Sequence, residues 1–348
     1  MSPYVLLIII ISLLMGTSLT LLSNHWLLAW MGLEINTLAI IPMMTHPNHP
    51  RATESAIKYF LTQATASMMI MFAIIYNAWM TNQWSLSQMY NNPASTLMTL
   101  ALAIKLGLAP FHFWLPEVTQ GIPLLSGMIL LTWQKVAPMS LLYQISPSLN
   151  TKILITLAIS STLLGGWGGL NQTHLRKILA YSSIAHMGWM IIIILINPTM
   201  TLINLLIYII TTLTLFLMLN HSSMTKIKSI SNLWTKSTPM TIIILLTLLS
   251  LGGLPPLTGF MPKWLILQEL ATHNNLTTAI LMALSALLSL FFYMRIIYTT
   301  TLTIYPTSNN SKLQWPNPQM KTINIIPPLT IISSLLLPLT PAFIIINQ

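Results

Sequence analysis

The sequence has neither cysteine nor aspartate among its 348 residues. Without cysteine the chain cannot form a disulfide, activate a thiolate or ligate an iron–sulfur cluster through sulfur. We therefore expect any electron transfer linked to this protein to take place in other chains. The acidic residues number only 4, so no rich carboxylate cluster is present to form a sodium site.

Charge of either sign is scarce. Charged residues make up 5% of the chain and hydrophobic residues 54%, whereas a soluble domain carries about 25% charged residues. The apolar residues form long runs, and such runs are read as membrane-spanning helices. This composition predicts an all-α, polytopic membrane protein with no long soluble domain.

The charges that are present are mostly basic, with 14 Lys and Arg against 4 acidic residues and a net charge of +10. They are scattered over short loops and single helix positions and form no basic stripe. This pattern favours control of membrane topology and contact with anionic lipid headgroups, cardiolipin among them. We expect no nucleic-acid partner.

Windows of about 20 apolar residues predict about eleven spans. The first run, Tyr4 to Leu22, lacks a basic leader and a cleavage site, so we interpret it as a retained helix. The predicted spans cover residues 3–22, 25–44, 56–80, 96–120, 123–145, 150–171, 174–195, 198–220, 239–271, 276–301 and 323–346.

The loop charges separate by side when the spans alternate. One side receives only Lys152, and the other receives Arg51, Arg176, Lys177, Lys226, Lys228, Lys236, Lys312 and Lys321. By the positive-inside rule the richer side is the matrix or cytoplasmic side. The N-terminus is then predicted inside and the C-terminus, after an odd number of spans, outside.

Two of the spans are interrupted by glycine and proline, at residues 105–117 and 251–264. Proline removes a backbone donor, so each break frees carbonyls at membrane depth, which are tolerated only inside protein or beside water. Paired breaks of this kind indicate an ion or substrate site in a transporter fold. They fall in the fourth and ninth spans, which predicts inverted five-helix repeats at 1–146 and 147–301, then a loop and C-terminal helix at 302–348.

Ionisable side chains lie inside these apolar spans: Glu34, Lys105, Lys135, His186 and Lys263, with His112 inside the first break. A charge at a helix centre costs about 2.5–3.5 kcal/mol, so these groups should face protein or water. We predict that the glutamate and the three lysines move protons, with His186 and His112 as the weaker candidates. The alternative is that each is a satisfied polar group that joins helices.

The other polar residues give weaker indications. Near span ends we read Arg51, Glu54, Lys58, Glu269 and Arg295 as structural, and Glu117 stays open between the two readings. His46 and His49 lack the spacing of metal ligands. We find no nucleotide-binding loop, catalytic triad or haem motif.

Lysine suits proton transfer because a buried lysine can lose its proton near neutral pH, whereas arginine stays protonated. Two unit charges separated by about 10 Å interact by roughly 1.7 kcal/mol at an effective dielectric near 20. A row of such groups could therefore pass on a change of protonation by successive electrostatic steps.

The chain as a whole resembles the antiporter-like membrane subunits of respiratory complex I. The resemblance rests on mid-helix Glu34, on Lys105 before Leu-Gly-Leu-Ala-Pro-Phe-His-Phe-Trp-Leu-Pro-Glu, on Lys263 after Leu-Gly-Gly-Leu-Pro-Pro-Leu-Thr-Gly-Phe, and on the run from Lys177 to Gly188. It implies two inverted units around a hydrated axis at mid-membrane, with Glu34 and Lys105 as the charged pair of the first unit. Lys135 would be the connecting lysine and Lys263 the terminal one.

The same resemblance implies a place in the mitochondrial inner membrane, beside neighbouring antiporter-like subunits and other membrane-arm subunits. It places NAD, FMN, the iron–sulfur clusters and ubiquinone in partner subunits, and no cofactor or metal in this chain. Two alternatives stay open from the residues: a sodium/proton antiporter acting alone, and a scaffold subunit with no channel of its own.

Overall fold

The computed structural model describes residues 2–46, 48–86, 89, 92–234, 237–302 and 325–339. Over these residues the chain is helical and forms no β-strand, only isolated bridges. The helices are α1 Pro3–Leu22, α2 Trp26–Thr45, α3 Pro50–Thr81, α4 Asn92–Leu106, α5 Trp114–Gly121, α6 Leu124–Leu131, α7 Val136–Ile145, α8 Thr151–Gly169, α9 Leu175–Ile194, α10 Pro198–His221, α11 Ile227–Ser231, α12 Thr238–Gly252, α13 Phe260–Thr272, α14 Leu276–Leu302 and α15 Ile326–Leu335.

The helices follow the predicted spans closely, and the fourth and ninth spans are each split as expected, into α4 with α5 and α12 with α13. Within the described ranges, six helices are long and apolar enough to cross a membrane: α1, α2, α3, α9, α10 and α14. The last predicted span corresponds in part to α15 and to a 3-10 turn at Leu337–Leu339. Its residues 323–324 and 340–346 lie outside the described part of the chain, as do Lys236, Lys312 and Lys321. The short helix α11 was not predicted.

The fifth predicted span, 123–145, is not one continuous helix, so that expectation was wrong. Its first half, α6, ends at Leu131, a 3-10 turn follows at Trp133–Lys135, and α7 begins at Val136. Pro138 lies in the first turn of α7, where its missing N–H costs no helical hydrogen bond. A third interruption is therefore present in the bundle, and it carries Lys135.

The helices of 1–146 and of 147–301 pack in the same order. In the first range α1 packs on α2 and α7, and α3 packs on α2 and α4. In the second, α8 packs on α9 and α14, and α10 packs on α9 and α12. Corresponding helices thus meet corresponding neighbours, which supports a repeated five-helix unit.

The first two helices of the N-terminal unit approach closely through glycine. A Cβ on Gly16 would lie 2.9 Å from the Gly32 carbonyl oxygen, and one on Gly32 would lie 2.8 Å from the Gly16 carbonyl oxygen. Small residues are enriched at helix interfaces in membranes for this reason, because they let two backbones approach. The close packing fixes α2, and with it Glu34, against α1.

Helix α9 lies at the centre of the bundle. It is the most buried of the six long apolar helices. In its apolar stretch 83% of the residues are buried, whereas in that of α1 28% are buried. It packs against α5, α6, α8, α10 and α13, which come from both five-helix ranges. Any side chain on the inner part of α9 is therefore placed between the two units.

Basic residues gather at one end of the bundle. A bridge pairs His174 with Lys226, joining the connections before α9 and before α11. Partial burial and the nearby Lys226, Lys177, Arg176 and Arg51 lower the pKa of His174. These basic loops, which the sequence assigned to one side of the membrane, thus meet in the structure.

Candidate functional site

The two broken helices have the same backbone. Residues 105–118 align with 251–264 without a gap and share the glycines at 107 and 253 and the prolines at 110 and 256 and at 116 and 262. Gly107 has φ 73° and Gly253 has φ 78°, in the left-handed region that favours glycine. Each first half-helix ends there in a six-to-one hydrogen bond, from Leu108 N to Ala103 O and from Leu254 N to Leu249 O, at 2.9 and 3.3 Å.

The carbonyls freed at the first break have neutral partners. The indole nitrogen of Trp114, at the start of α5, donates to Ile104 O at 3.1 Å. The hydroxyl of Ser160, on α8, donates to Ala109 O at 3.1 Å. These two carbonyls are therefore paired with neutral protein groups, as irregular backbone at membrane depth demands.

Lys105 stands in the last turn of α4, next to this break, and is 6% exposed. Its amine has no hydrogen-bond partner among the described residues. Glu34 on α2 interacts with it electrostatically. One oxygen of Glu34 accepts from Thr37 Oγ1 at 3.3 Å, and its Oε1 is buried without a partner in the described chain. Glu34 and Lys105 thus interact electrostatically without a direct hydrogen bond, and both groups keep spare hydrogen-bonding capacity.

A small cavity connects the first break to the fifth span. It is lined by Lys105 and Lys135, by apolar side chains, and by the polar residues Asn36, Thr37, Tyr59, Gln63 and Gln134. Its volume is about 20 Å³, enough for one water molecule. Gln63 Nε2 has no partner within the described ranges, so two unpaired donors border a space of water size.

Lys135 lies where the two units meet. It is 4% exposed, and its amine donates to Ser183 O on α9 at 3.5 Å and to Tyr208 Oη on α10 at 3.4 Å. The same nitrogen lies 5.2 Å from the centre of the Tyr208 ring, a distance at which a cation is attracted to an aromatic face.

His186, on α9, continues the line from Lys135. Its ring centre lies 5.5 Å from that of Tyr208. It also interacts electrostatically with Lys135 and Lys263 and contacts the backbone of Leu251 at the end of α12. The histidine therefore lies between the lysine of the fifth span and the lysine of the second break.

Lys263, on α13, reaches back to the other half of its own broken helix. Its amine donates to Gly252 O at 2.8 Å and to Leu251 O at 3.5 Å. These are the last carbonyls of α12, where the helix dipole is negative and a cation is stabilised. The backbone of Leu251 thus contacts both Lys263 and His186 and links the two side chains.

His112 does not join this line. It is buried within the first break, its ring centre lies 4.3 Å from that of Phe113 and 6.4 Å from that of Tyr181, and its Nδ1 has no partner in the described part of the chain. The corresponding residue of the second break is Thr258, whose hydroxyl donates to Ser333 O on α15. The two loops are therefore anchored differently.

The charged residues near the span ends form a separate group. The amine of Lys58 lies 2.7 Å from Glu54 Oε1 and 2.8 Å from Glu117 Oε2. An open pocket lined also by Arg51, Gln120 and Lys177 surrounds these ion pairs. Exposed ion pairs of this kind contribute little to stability.

Arg295 donates to Leu170 O and, at 2.6 Å, to Gln172 O, and so holds the α8–α9 connection to α14.

Sequence reasoning missed the polar residues between the lysines, namely Tyr59, Gln63, Gln134, Ser183 and Tyr208. A tyrosine or serine in an apolar helix resembles ordinary packing, and no spacing rule links α10 to the fifth span. Pro138 was the one signal for the third interruption, because a proline inside a span marks the end of one helical segment and the start of another.

Comparisons with known proteins agree with this architecture. Residues 23–289 match the family described as NADH:quinone oxidoreductase/Mrp antiporter, transmembrane region, and residues 290–344 match NADH dehydrogenase subunit 2 C-terminus. The chain is 81% identical over 341 residues to NADH-ubiquinone oxidoreductase chain 2 of Osphranter robustus, covering 98% of both chains. It is 70% identical over 347 residues to the protein of that name from Didelphis virginiana, covering 100% of both.

A solved structure also matches. A chain of respiratory complex I from Thermus thermophilus with bound aureothin superimposes with a TM-score of 0.79 at 26% identity, covering 93% of this chain and 77% of that chain. The split helices, the buried amines and these matches lead to one conclusion: the chain belongs to the NADH:quinone oxidoreductase/Mrp antiporter membrane family.

Proposed function

We propose that this chain is a membrane-arm subunit of the proton-pumping NADH:ubiquinone oxidoreductase and that it translocates or relays protons through its buried amines. The single observation that supports the relay is a series of contacts, electrostatic interactions and one shared cavity between the two breaks. It runs from Glu34 and Lys105 through the small cavity to Lys135, then through Tyr208, His186 and the Leu251 carbonyl to Lys263.

Each step in this set has a physical basis. Buried amines can be charged or neutral, so a change at one alters the electrostatic energy of the next. Unpaired polar atoms around the cavity suit a water that passes a proton between Lys105 and Lys135. We include Glu34, Lys105, Lys135, His186 and Lys263 in the relay and leave His112 outside it.

The subunit fits this role as part of a larger assembly. We place NAD, FMN, the iron–sulfur clusters and ubiquinone in partner subunits, and among the described residues no cluster of His, Asp and Glu could hold a metal ion. Its neighbours are other membrane-arm subunits, including antiporter-like ones. We assign the five-helix units to 1–146 and 147–301 and the C-terminal segment to 302–348.

The location follows from the same assignment. We place the chain in the mitochondrial inner membrane with its N-terminus on the matrix side and its C-terminus on the intermembrane-space side, since the basic loops lie at one end. Those loops would face anionic headgroups, cardiolipin included. Labelling of engineered cysteines in loops 82–91 and 222–226 from either side of intact mitoplasts tests this orientation.

The relay is tested by replacing Lys105 with Met in the assembled enzyme and measuring protons pumped per NADH oxidised in proteoliposomes. We expect a lower ratio, because the chain of titratable groups is cut at its first amine. Lys152→Met is the matched control, since Lys152 is exposed at the start of α8. An unchanged ratio in the assembled Lys105→Met enzyme contradicts the proposal.

A further inference from the structure

The interruption of the fifth span releases the Leu131 carbonyl from its helical hydrogen bond. In a continuous α-helix the Lys135 amide would donate to Leu131 O, four residues earlier. Instead it donates to Thr132 O at 3.3 Å, as part of the 3-10 turn. The Leu131 carbonyl is then released in a buried part of the bundle, where an unpaired polar group is costly.

Tyr208, on α10, supplies that partner. Its hydroxyl donates to Leu131 O at 3.0 Å, and the side chain is 2% exposed. A tyrosine hydroxyl has one proton to donate and lone pairs to accept with. Because the proton is directed to Leu131, the lone pairs are left for the Lys135 amine at 3.4 Å. The two hydrogen bonds are therefore compatible.

The tyrosine also contacts the next member of the line. Its ring centre lies 5.5 Å from that of His186, while its face lies 5.2 Å from the Lys135 amine. One side chain therefore contacts the interrupted backbone, the connecting lysine and the histidine between the units.

We propose that Tyr208 is a positioning residue that holds the fifth span open at Leu131 and so fixes the Lys135 amine toward His186 and the second unit. Without the hydroxyl, the Leu131 carbonyl loses its donor, and the Lys135 amide, its partner in a regular helix, can take that place. Forming that bond closes the turn into a regular helix and carries the lysine side chain away from its contacts on α9 and α10. This inference rests on the proposed relay and adds the residue that links its two halves.

The test is Tyr208→Phe, which removes one oxygen and keeps the ring. We expect protons pumped per NADH oxidised to fall to the value of Lys135→Met, with the KM for quinone unchanged because the quinone site is elsewhere. A high-resolution map of the variant should show the Lys135 amide within hydrogen-bonding distance of Leu131 O. Tyr293→Phe is the matched control, since Tyr293 is also a buried tyrosine, 1% exposed, and is not a member of the proposed relay.

The outcomes separate this inference from the proposed function. A normal pumping ratio in Tyr208→Phe, with a reduced one in Lys135→Met, overturns the positioning role and leaves the relay standing. Normal ratios in Lys105→Met and Lys135→Met reject the relay itself, whatever Tyr208→Phe does. If Tyr208→Phe fails to assemble while Tyr293→Phe assembles, the tyrosine has a folding role and the inference is wrong.

Discussion

The two broken helices share one backbone conformation but differ in the side chains that pair with their carbonyls. Both end their first half at a left-handed glycine with the same hydrogen bond. In the first break the neutral indole of Trp114 donates to Ile104 O near the end of α4, and the Lys105 amine has no hydrogen-bond partner among the described residues. In the second break the Lys263 amine itself donates to the last two carbonyls of α12, Leu251 O and Gly252 O.

The difference shows how a repeated fold can hold two amines in different states. At the position that aligns with Lys263, the first break has Glu117, which is drawn away to an ion pair with Lys58 at the span end. A neutral cap leaves the amine of Lys105 available to Glu34 and to the cavity. A charged cap ties the Lys263 amine to the negative end of α12. We interpret the first amine as the responsive member and the second as the anchored one.

The largest expected difference between the breaks concerns the lysines. Lys263→Met removes the 2.8 Å donor to the Gly252 carbonyl, so the second break should lose about 1–3 kcal/mol of stability. Lys105→Met leaves no backbone carbonyl unpaired and removes only the electrostatic interaction of the amine with Glu34, so we expect a smaller loss. Thermal denaturation of the two assembled variants measures this contrast, and equal losses would show that the two amines are held alike.

The glycines should give the next largest effect. An alanine in the left-handed region costs about 1–2 kcal/mol at either position. At Gly253 the new methyl would also lie 2.9 Å from Cδ of Lys263, whereas at Gly107 it would meet the end of the Leu115 side chain. We expect Gly253→Ala to lower the pumping ratio and Gly107→Ala to lower stability alone. Reversed results would mean that Lys263 does not depend on the second turn.

The neutral cap should give the smallest effect. Trp114→Phe keeps an aromatic ring but removes the donor to Ile104 O, so the first break should lose about 1 kcal/mol. The pumping ratio of the assembled enzyme should stay at the wild-type value, because the indole carries no titratable proton. A ratio reduced as far as in Lys105→Met would place Trp114 in the relay and contradict the difference between a neutral first cap and a charged second cap.

The sequence was sufficient for features that local chemistry determines. Gly107 with Pro110, and Gly253 with Pro256, predicted both breaks, and apolar runs predicted the helices around them. The sequence was insufficient where the partner of a side chain is a backbone carbonyl or a residue on a distant helix. The partner of Lys263 is its own preceding half-helix, and the link at Lys135 depends on Tyr208, more than 70 residues away in sequence. No periodicity reports such contacts.

The most direct test of the account is a map of the assembled complex at a resolution that shows ordered water. It predicts a water in the cavity within hydrogen-bonding distance of the Lys105 amine and the Gln63 amide, on the path to Lys135. It also predicts the Lys263 amine against the Gly252 carbonyl and the Lys135 amine against Tyr208. A dry cavity, with these amines turned away from one another toward lipid, would contradict the relay.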